Sequence, residues 1–336
     1  MAIEWIKSYM TNRHQKVKIC DATSTTSSLT SGVPQGSVLG PLLFILYVHD
    51  IQSWIGQDIF LSSYADDTVL SFSSNSVDEI IEVLENAAAK VLKYFASNGL
   101  VANPSKTKFL LIRSKFDKSW PNSTIKIDNH NIAESKSEKV LGVVINNKLT
   151  WNDHFEHLDS ILRQKVGIIK RLSYKIPRKA LLKLLDGLLY SHVRYCLPVF
   201  AQPQLTENDS PNALMKNIQV TLNDGLRAAL GLKRSSKVSV EQLHVRCQTT
   251  TLNRLSVKTI LKLVIPVMEN RCEGLKGFFE DDRIDHVHFT RSQAKGQLEP
   301  MKRARSSFKS HAIHLWNQYT SHQDKSLNEF VNKFPC

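Results

Sequence analysis

The sequence predicts an α+β fold that turns all-helical beyond Trp151. Three observations predict it. Short apolar runs broken by Gly, Pro and Asn dominate residues 1–146, where two hairpins and one long amphipathic segment can be drawn. From residue 153 onward apolar residues recur at helical spacing instead. The composition, 42% hydrophobic with only 13 Gly and 11 Pro in 336 residues, is that of a folded chain long enough for two or three domains.

The elements follow in order. Gln15 to Cys20 alternates like a strand, and a second extended run leads through a Ser/Thr-rich stretch into Leu29-Thr30-Ser31. Gly32, Pro34 and Gly36 then break any regular element. Ser37 can cap a helix from Leu39 to about Ile51 that is apolar nearly all round, and therefore expected to be buried. Ile59-Phe60-Leu61 and Thr68 to Phe72 read as the arms of a hairpin around Tyr64-Ala65-Asp66-Asp67. Ser76 with Glu79 is a capping-box pair, Gly99 a stop, and Ile80, Ile81, Leu84, Ala87, Ala88, Val91 and Phe95 form one apolar face between them. Lys108 to Ile112 reads as a strand, and Thr124–Ile127 as the first arm of a second hairpin whose other arm is Lys139–Ile145. Helices are expected at about 153–172, 178–196 and 212–231, with 203–211 as a linker.

Several function classes drop out. The longest uninterrupted apolar run, Leu42 to Val48, is far short of the roughly 18 residues that a membrane span needs, and no basic segment followed by an apolar stretch opens the chain. Cys20, Cys196, Cys247, Cys272 and Cys336 are odd in number and widely spaced, which reads as reduced thiols in an intracellular protein rather than a disulfide framework or zinc site. His154 and His157 lack a completing partner, as do Cys247, Cys272 and His286-Val287-His288. Net charge is −4 over residues 1–100, +10 over 101–200 and +7 over 201–336. A polyanion touching the basic portion would gain counterion-release free energy, although a solubilising surface has the same composition. Lys302-Arg303-Ala304-Arg305 reads either as a phosphate or nuclear-import contact or as a solvated run.

Asp66 and Asp67 carry the chemistry. Nucleotidyl transfer uses two divalent ions about 4 Å apart, and carboxylates suit such hard ions. Adjacent residues in a straight strand point to opposite faces, but a hairpin tip can bring both to one edge. A lone Asp-Asp pair is usually a solvated turn; here it stands in an ordered constellation. Ser31 to Phe44 (SGVPQGSVLGPLLF), Tyr64-Ala65-Asp66-Asp67 about thirty residues later, and Asn103-Pro104-Ser105-Lys106-Thr107 resemble successive motifs of LINE-type (non-LTR, jockey-like) retrotransposon reverse transcriptases. Leu141-Gly142-Val143 with Trp151 and His154 resembles their primer-grip region. Leu189-Tyr190-Ser191-His192, Tyr195-Cys196, Ser307-Phe308 and Leu315-Trp316-Asn317 resemble their C-terminal region.

The resemblance implies an RNA-directed DNA polymerase using Mg2+ or Mn2+. It implies Asp66 as a direct metal ligand and Asp67 as a second carboxylate. Gly32, Pro34, Gln35 and Gly36 would lie against template and nucleotide, Tyr64 beneath the primer end, Lys106 by the departing pyrophosphate, and Leu141 and Gly142 in the primer grip. Its partners would be an RNA template, a DNA primer or RNA–DNA hybrid, and deoxynucleoside triphosphates, in the cytoplasm and nucleus, with no membrane. The implied domains are a partial right-hand polymerase palm over 1–146, a helical thumb-like region over 147–201 and a basic helical domain over 202–336. The family's remaining catalytic Asp lies in a motif upstream of the Pro-Gln-Gly turn. Of the 30 residues before Ser31 only Glu4 and Asp21 are acidic, and neither has that motif's context; Trp5, Tyr9, Asn12, Arg13 and Gln15 resemble the segment that follows it. The expectation is a truncated palm, lacking fingers and inactive by itself. The alternative is a non-catalytic remnant that binds element RNA or a hybrid through its basic two thirds.

Overall fold

A computed structural model describes residues 2–56, 58–113, 122–272, 277, 279, 307–321 and 326–335. They divide into two compact units: residues up to 111 with 122–135, and residues 112–113 with those from 136 onward. Helices and small sheets are both present, in keeping with the α+β expectation.

In the first unit α1 (Ala2–Met10) buries no residue. Strand β1 (Arg13–Gln15) pairs with β4 (Ser27–Leu29), and β2 (Lys18–Ile19) with β3 (Ala22–Thr23). The single strand expected over Gln15–Cys20 is therefore two short ones, because left-handed Cys20 (φ 52°) turns the chain back directly after Ile19. Helix α2 (Gly40–Val48) is shorter than expected, and α3 (Ile51–Ile55) follows separately. It is also not buried: Leu42, Ile45, Leu46 and Tyr47 are 50–61% exposed. An apolar helix is buried only where a neighbour covers it, and the described residues leave half or more of each of these four open.

The hairpin of β5 (Phe60–Tyr64) and β6 (Asp67–Ser71) forms as expected, with Tyr64 opposite Asp67. So does α4 (Val77–Ser97), whose first turn is capped by the Ser76 hydroxyl accepting from the Glu79 N–H at 3.4 Å. The Glu79 carboxylate turns to the Ser74 hydroxyl, so only half of the capping box is made. Ile51, Ile55, Ile59, Ala87, Val91 and Tyr94 form a core on which Leu61 and Leu70 of the hairpin pack. The Tyr94 hydroxyl donates to the Asp50 carboxylate at 2.5 Å.

Two expectations fail here. Lys108 to Ile112 builds no strand beyond a single bridge from Phe109 to Glu134; Phe109 and Leu111 instead bury against Ile80 and Ile125. Thr124–Ile127 does not pair with Lys139–Ile145. It pairs as β7 with β8 (His130–Ala133), while β9 (Ser137–Val140) pairs with β10 (Val143–Asn146). Left-handed residues at Asp128, and at Leu141 with Gly142, let each hairpin close through two residues. Local closure costs less chain entropy than the longer loop. Every sheet formed by the described residues is two-stranded.

The second unit holds the hairpin β9–β10 and the helices. These are α5 (Asn152–Leu172), α6 (Arg178–Leu185), α7 (Ser191–Arg194), α8 (Leu197–Phe200), α9 (Ala213–Leu230), α10 (Val240–Cys247), α11 (Leu252–Met268), α12 (Phe308–Thr320) and α13 (Leu327–Val331). The first and last of the three expected helices lie within a residue of their expected ends. The middle one passes through a π turn, Asp186–Tyr190, and stops at Arg194. Residues 201–212 are non-helical. Leu162, Ile169, Leu185, Leu189, Val193, Leu222 and Leu226 are fully enclosed in the main core, and Val257, Ile260, Leu261, Val264, Ala312 and Leu315 in a second. Among the described residues no helix is long and apolar enough to cross a membrane.

Candidate functional site

Arg13 fastens the loop that opens the first motif. Its Nη2 donates to the carbonyls of Ser31 (3.3 Å) and Gly32 (2.5 Å), while Nε reaches the Met10 carbonyl at 3.0 Å. Gly32 stands at φ 77°, outside the range of ordinary residues. Pro34 to Ser37 then closes a turn, the Ser37 N–H donating to the Pro34 carbonyl at 3.3 Å with Gly36 left-handed at φ 77°. That is the type II pattern, which favours glycine at its third position. The Ser37 hydroxyl donates to the Pro34 carbonyl at 2.7 Å and accepts from the Gly40 N–H at 3.0 Å, so Ser37 joins the turn to the start of α2. A Cβ at Gly40 would meet the Pro34 carbonyl at 2.9 Å. Gln35 and Gly36 are exposed and Pro34 half-buried.

Tyr64, Ala65, Asp66 and Asp67 form the tip of the β5–β6 hairpin. Ala65 alone of the four is left-handed, at φ 53°. The tip stands clear of the core that Leu61 and Leu70 reach, and Tyr64 (68% exposed), Asp66 and Asp67 all face solvent. The Ser63 and Thr68 hydroxyls, 3.5 Å apart, lie one pair behind the tip. Lys106 is exposed on a 3₁₀ turn, Pro104–Lys106, ordered by Asn103. The Asn103 Oδ1 accepts from the Ser105 N–H (3.1 Å) and hydroxyl (2.7 Å), and its carbonyl from the Lys106 N–H (3.1 Å) and the Thr107 hydroxyl (3.2 Å). Asn103 is thus the residue that shapes this block.

Leu141 and Gly142 close the β9–β10 hairpin of the second unit, both left-handed (φ 47° and 87°). Behind them the Val144 N–H donates to Nδ1 of buried His154 at 3.3 Å, whose ring packs against Phe200 with centroids 4.3 Å apart. Burial, with His157 and Lys139 nearby, pushes His154 down to about 4, so it is neutral at pH 7. His154 is accordingly a core histidine that seats the hairpin on α5.

The described structure gathers Gly32, Pro34, Gln35 and Gly36 in one loop and Tyr64, Asp66 and Asp67 on one hairpin tip. It puts Lys106 on a turn of its own in the same unit, and Leu141 and Gly142 in the other unit. Among the described residues no group of three Asp, Glu, His or Cys side chains is placed to hold a metal ion. Asp66 and Asp67 therefore offer oxygen donors of the right kind for a hard divalent ion, but too few to form a two-metal centre. The anchoring roles of Arg13 and Asn103 have no clear pattern in the sequence. Arg13 acts 18 and 19 residues along the chain, and beyond its place in the Asn103–Thr107 motif the local signal for Asn103 is an Asx residue before Pro. Lys302-Arg303-Ala304-Arg305 and His286-Val287-His288 lie outside the described residues.

Residues 1–145 match the family model of reverse transcriptase (RNA-dependent DNA polymerase). Over 166 residues the chain is 30% identical to the probable RNA-directed DNA polymerase from transposon X-element of Drosophila melanogaster, covering 48% of this chain and 18% of that protein. It is 26% identical over 183 residues to the RNA-directed DNA polymerase from mobile element jockey of the same species, covering 52% and 19%. It is also 22% identical over 171 residues to the retrovirus-related Pol polyprotein from type-1 retrotransposable element R1 of Bradysia coprophila, covering 50% and 17%. The resemblance to LINE-type, jockey-like reverse transcriptases is borne out. The chain spans about a fifth of the length of each of these relatives.

Proposed function

We propose that this chain is part of an RNA-directed DNA polymerase of a non-LTR retrotransposon, with Asp66 and Asp67 as its metal-binding carboxylates. The observation that carries this reading is the exposed Tyr64-Ala65-Asp66-Asp67 tip, within the 145 residues that match the reverse transcriptase model. In this reading the first unit contributes palm elements and α5 to α8 a thumb-like region. Gly32 to Gly36 offer backbone to template and nucleotide, Tyr64 supports the primer end, and Leu141 and Gly142 touch the primer strand. Lys106 faces the leaving pyrophosphate as a cation. Reverse transcriptases as a family use Mg2+ or Mn2+; because the donor set here is short, we propose that incorporation requires an oxygen ligand beyond these two carboxylates.

The test measures Mn2+ binding to the purified chain by electron paramagnetic resonance, alongside dNTP incorporation on an RNA template with a DNA primer. Weak Mn2+ binding that disappears in Asp66→Asn and Asp67→Asn, without incorporation above that of Asp66→Asn, is the expected result. Mn2+ binding indifferent to both substitutions would remove the tip from the metal site. Incorporation abolished by Asp66→Asn would show that the chain completes the donor set itself.

A second reading, binding without catalysis, is favoured by the junction of α5 and α6. Lys170, Arg171, Lys175, Arg178 and Lys179 are exposed there, and none is in an ion pair among the described residues; Tyr174 between them is 92% exposed. Such a basic loop with an open aromatic suits a phosphate backbone and a stacked base. Affinity for single-stranded RNA that falls steeply with salt, and that Lys175→Glu with Arg178→Glu weakens, supports this reading; indifference to that double charge reversal counts against it.

A further inference from the structure

The β9–β10 turn contains an anomaly. A two-residue turn with both central residues left-handed favours Asn, Asp or Gly at its first position, and this one has Leu141 there at φ 47°. A bulky side chain in that conformation is strained and persists only when its surroundings hold it. The holder is Tyr195, 54 residues further along. Its hydroxyl donates to the Leu141 carbonyl at 2.6 Å. Its ring lies over Gly142 so closely that a Cβ there would meet the Tyr195 Cε1 at 3.0 Å, with the hydroxyl oxygen at 3.6 Å. The glycine is thus required twice, for its φ of 87° and for the approach of the ring.

Tyr195 can hold the turn because its own backbone is fixed. It sits between Val193 and Leu197, which are 0% and 1% exposed in the main core, and it follows directly on α7. Tyr195 as a whole remains 54% exposed and Leu141 41%. The pair therefore contributes an open surface at the hairpin tip rather than filling the core. A contact needed only for folding gains little from leaving an aromatic ring and a leucine in water.

We propose that Tyr195 is a positioning residue that locks the Leu141–Gly142 turn in its left-handed form, so that the tip presents a rigid surface to the nucleic-acid strand it contacts. This rests on the primer-contacting reading of that turn given above. Locking the turn beforehand spares the bound strand the entropy of ordering it.

Two measurements on the full chain separate the clamp from that reading. Tyr195→Phe keeps the ring and removes only the hydroxyl. Hydrogen–deuterium exchange of the segment 139–146 should quicken a few-fold to about tenfold, the worth of one neutral hydrogen bond, while the thermal midpoint stays within a degree or two of the native one. Affinity for a fluorescent primer–template, read by anisotropy, should fall by a similar factor. Gly142→Ala, which pushes the ring away, should produce both effects, and the double variant should be no worse than Gly142→Ala alone. Unchanged exchange in Tyr195→Phe overturns the clamp. Faster exchange with unchanged primer–template affinity overturns its positioning role and leaves a structural one. If the native chain binds no primer–template at all, the primer-contacting reading fails, and the positioning role with it, whatever the exchange data show.

Discussion

Leu189 and Gly225 pack so closely that a Cβ on Gly225 would lie 2.5 Å from the Leu189 Cδ1. Val166 of α5 stands 3.3 Å from the same point, so α9 meets both α5 and the π turn at this glycine. Gly225→Ala should therefore destabilise the second unit by about 1–3 kcal/mol through overpacking, even though alanine is the better helix former. The urea midpoint followed by circular dichroism measures it; an unchanged or raised midpoint would mean that the crossing has room to spare.

In the first unit the Tyr94–Asp50 hydrogen bond ties α4 to the start of α3. Burial, together with the Asp50 carboxylate, pushes the Tyr94 hydroxyl up to about 12. Tyr94→Phe should cost about 1–2 kcal/mol, since a partly buried hydrogen bond to a charged acceptor is lost at the edge of the core. The native chain should also lose stability as pH rises from about 10 toward 12, because there the unfolded tyrosine releases its proton while the folded one keeps it. An alkaline stability profile that is the same for both proteins would contradict this account.

The second unit should weaken in the opposite direction. His154 and His244 are both buried and both pushed down to about 4, chiefly by burial. His244 is held on both ring nitrogens, Nδ1 2.9 Å from the Thr249 hydroxyl and Nε2 3.1 Å from the Gln219 amide nitrogen, which makes Nδ1–H the donor and Nε2 the acceptor. Between about pH 6.5 and 4 the unfolded chain binds protons that these folded imidazoles refuse, so stability falls as pH falls through that window. NMR resonances of the two rings should stay at their neutral positions down to about pH 5. A midpoint near 6.5 for either would show that it is open to water.

Asp66→Asn and Asp67→Asn should leave the unfolding free energy within about 0.5 kcal/mol of the native chain's, because both side chains are exposed at a hairpin tip. Loss of Mn2+ binding from either variant then reports on the site itself. A large fall in stability would instead make these carboxylates structural.

Some elements were legible because their signals are local. α4 could be read from Ser76, Glu79 and a face of apolar residues at helical spacing, and the β5–β6 hairpin from two β-prone runs around a short polar tip. α5 and α9 were likewise plain, because amphipathic periodicity is a property of the segment itself. Where pairing partners must be chosen, the reading failed. Thr124–Ile127 found a partner three residues on rather than in 139–145, and Lys108 to Ile112 buried two side chains without forming a ladder. Strand propensity names a strand and not its neighbour.

The sequence by itself determined that two carboxylates stand together after Tyr64, that glycines occur where the Pro34–Ser37 turn requires them, and that the chain turns from mixed to helical near Trp151. Each of these is written in neighbouring residues. Only the tertiary structure decided that Arg13 fastens Ser31 and Gly32, that Tyr195 holds Leu141, that Gly225 receives Leu189, and that the apolar helix α2 lies largely open. Those contacts join residues 18 to 54 positions apart, or depend on what covers a face. They are set by how whole elements pack against one another, for which a stretch of sequence has no local signal.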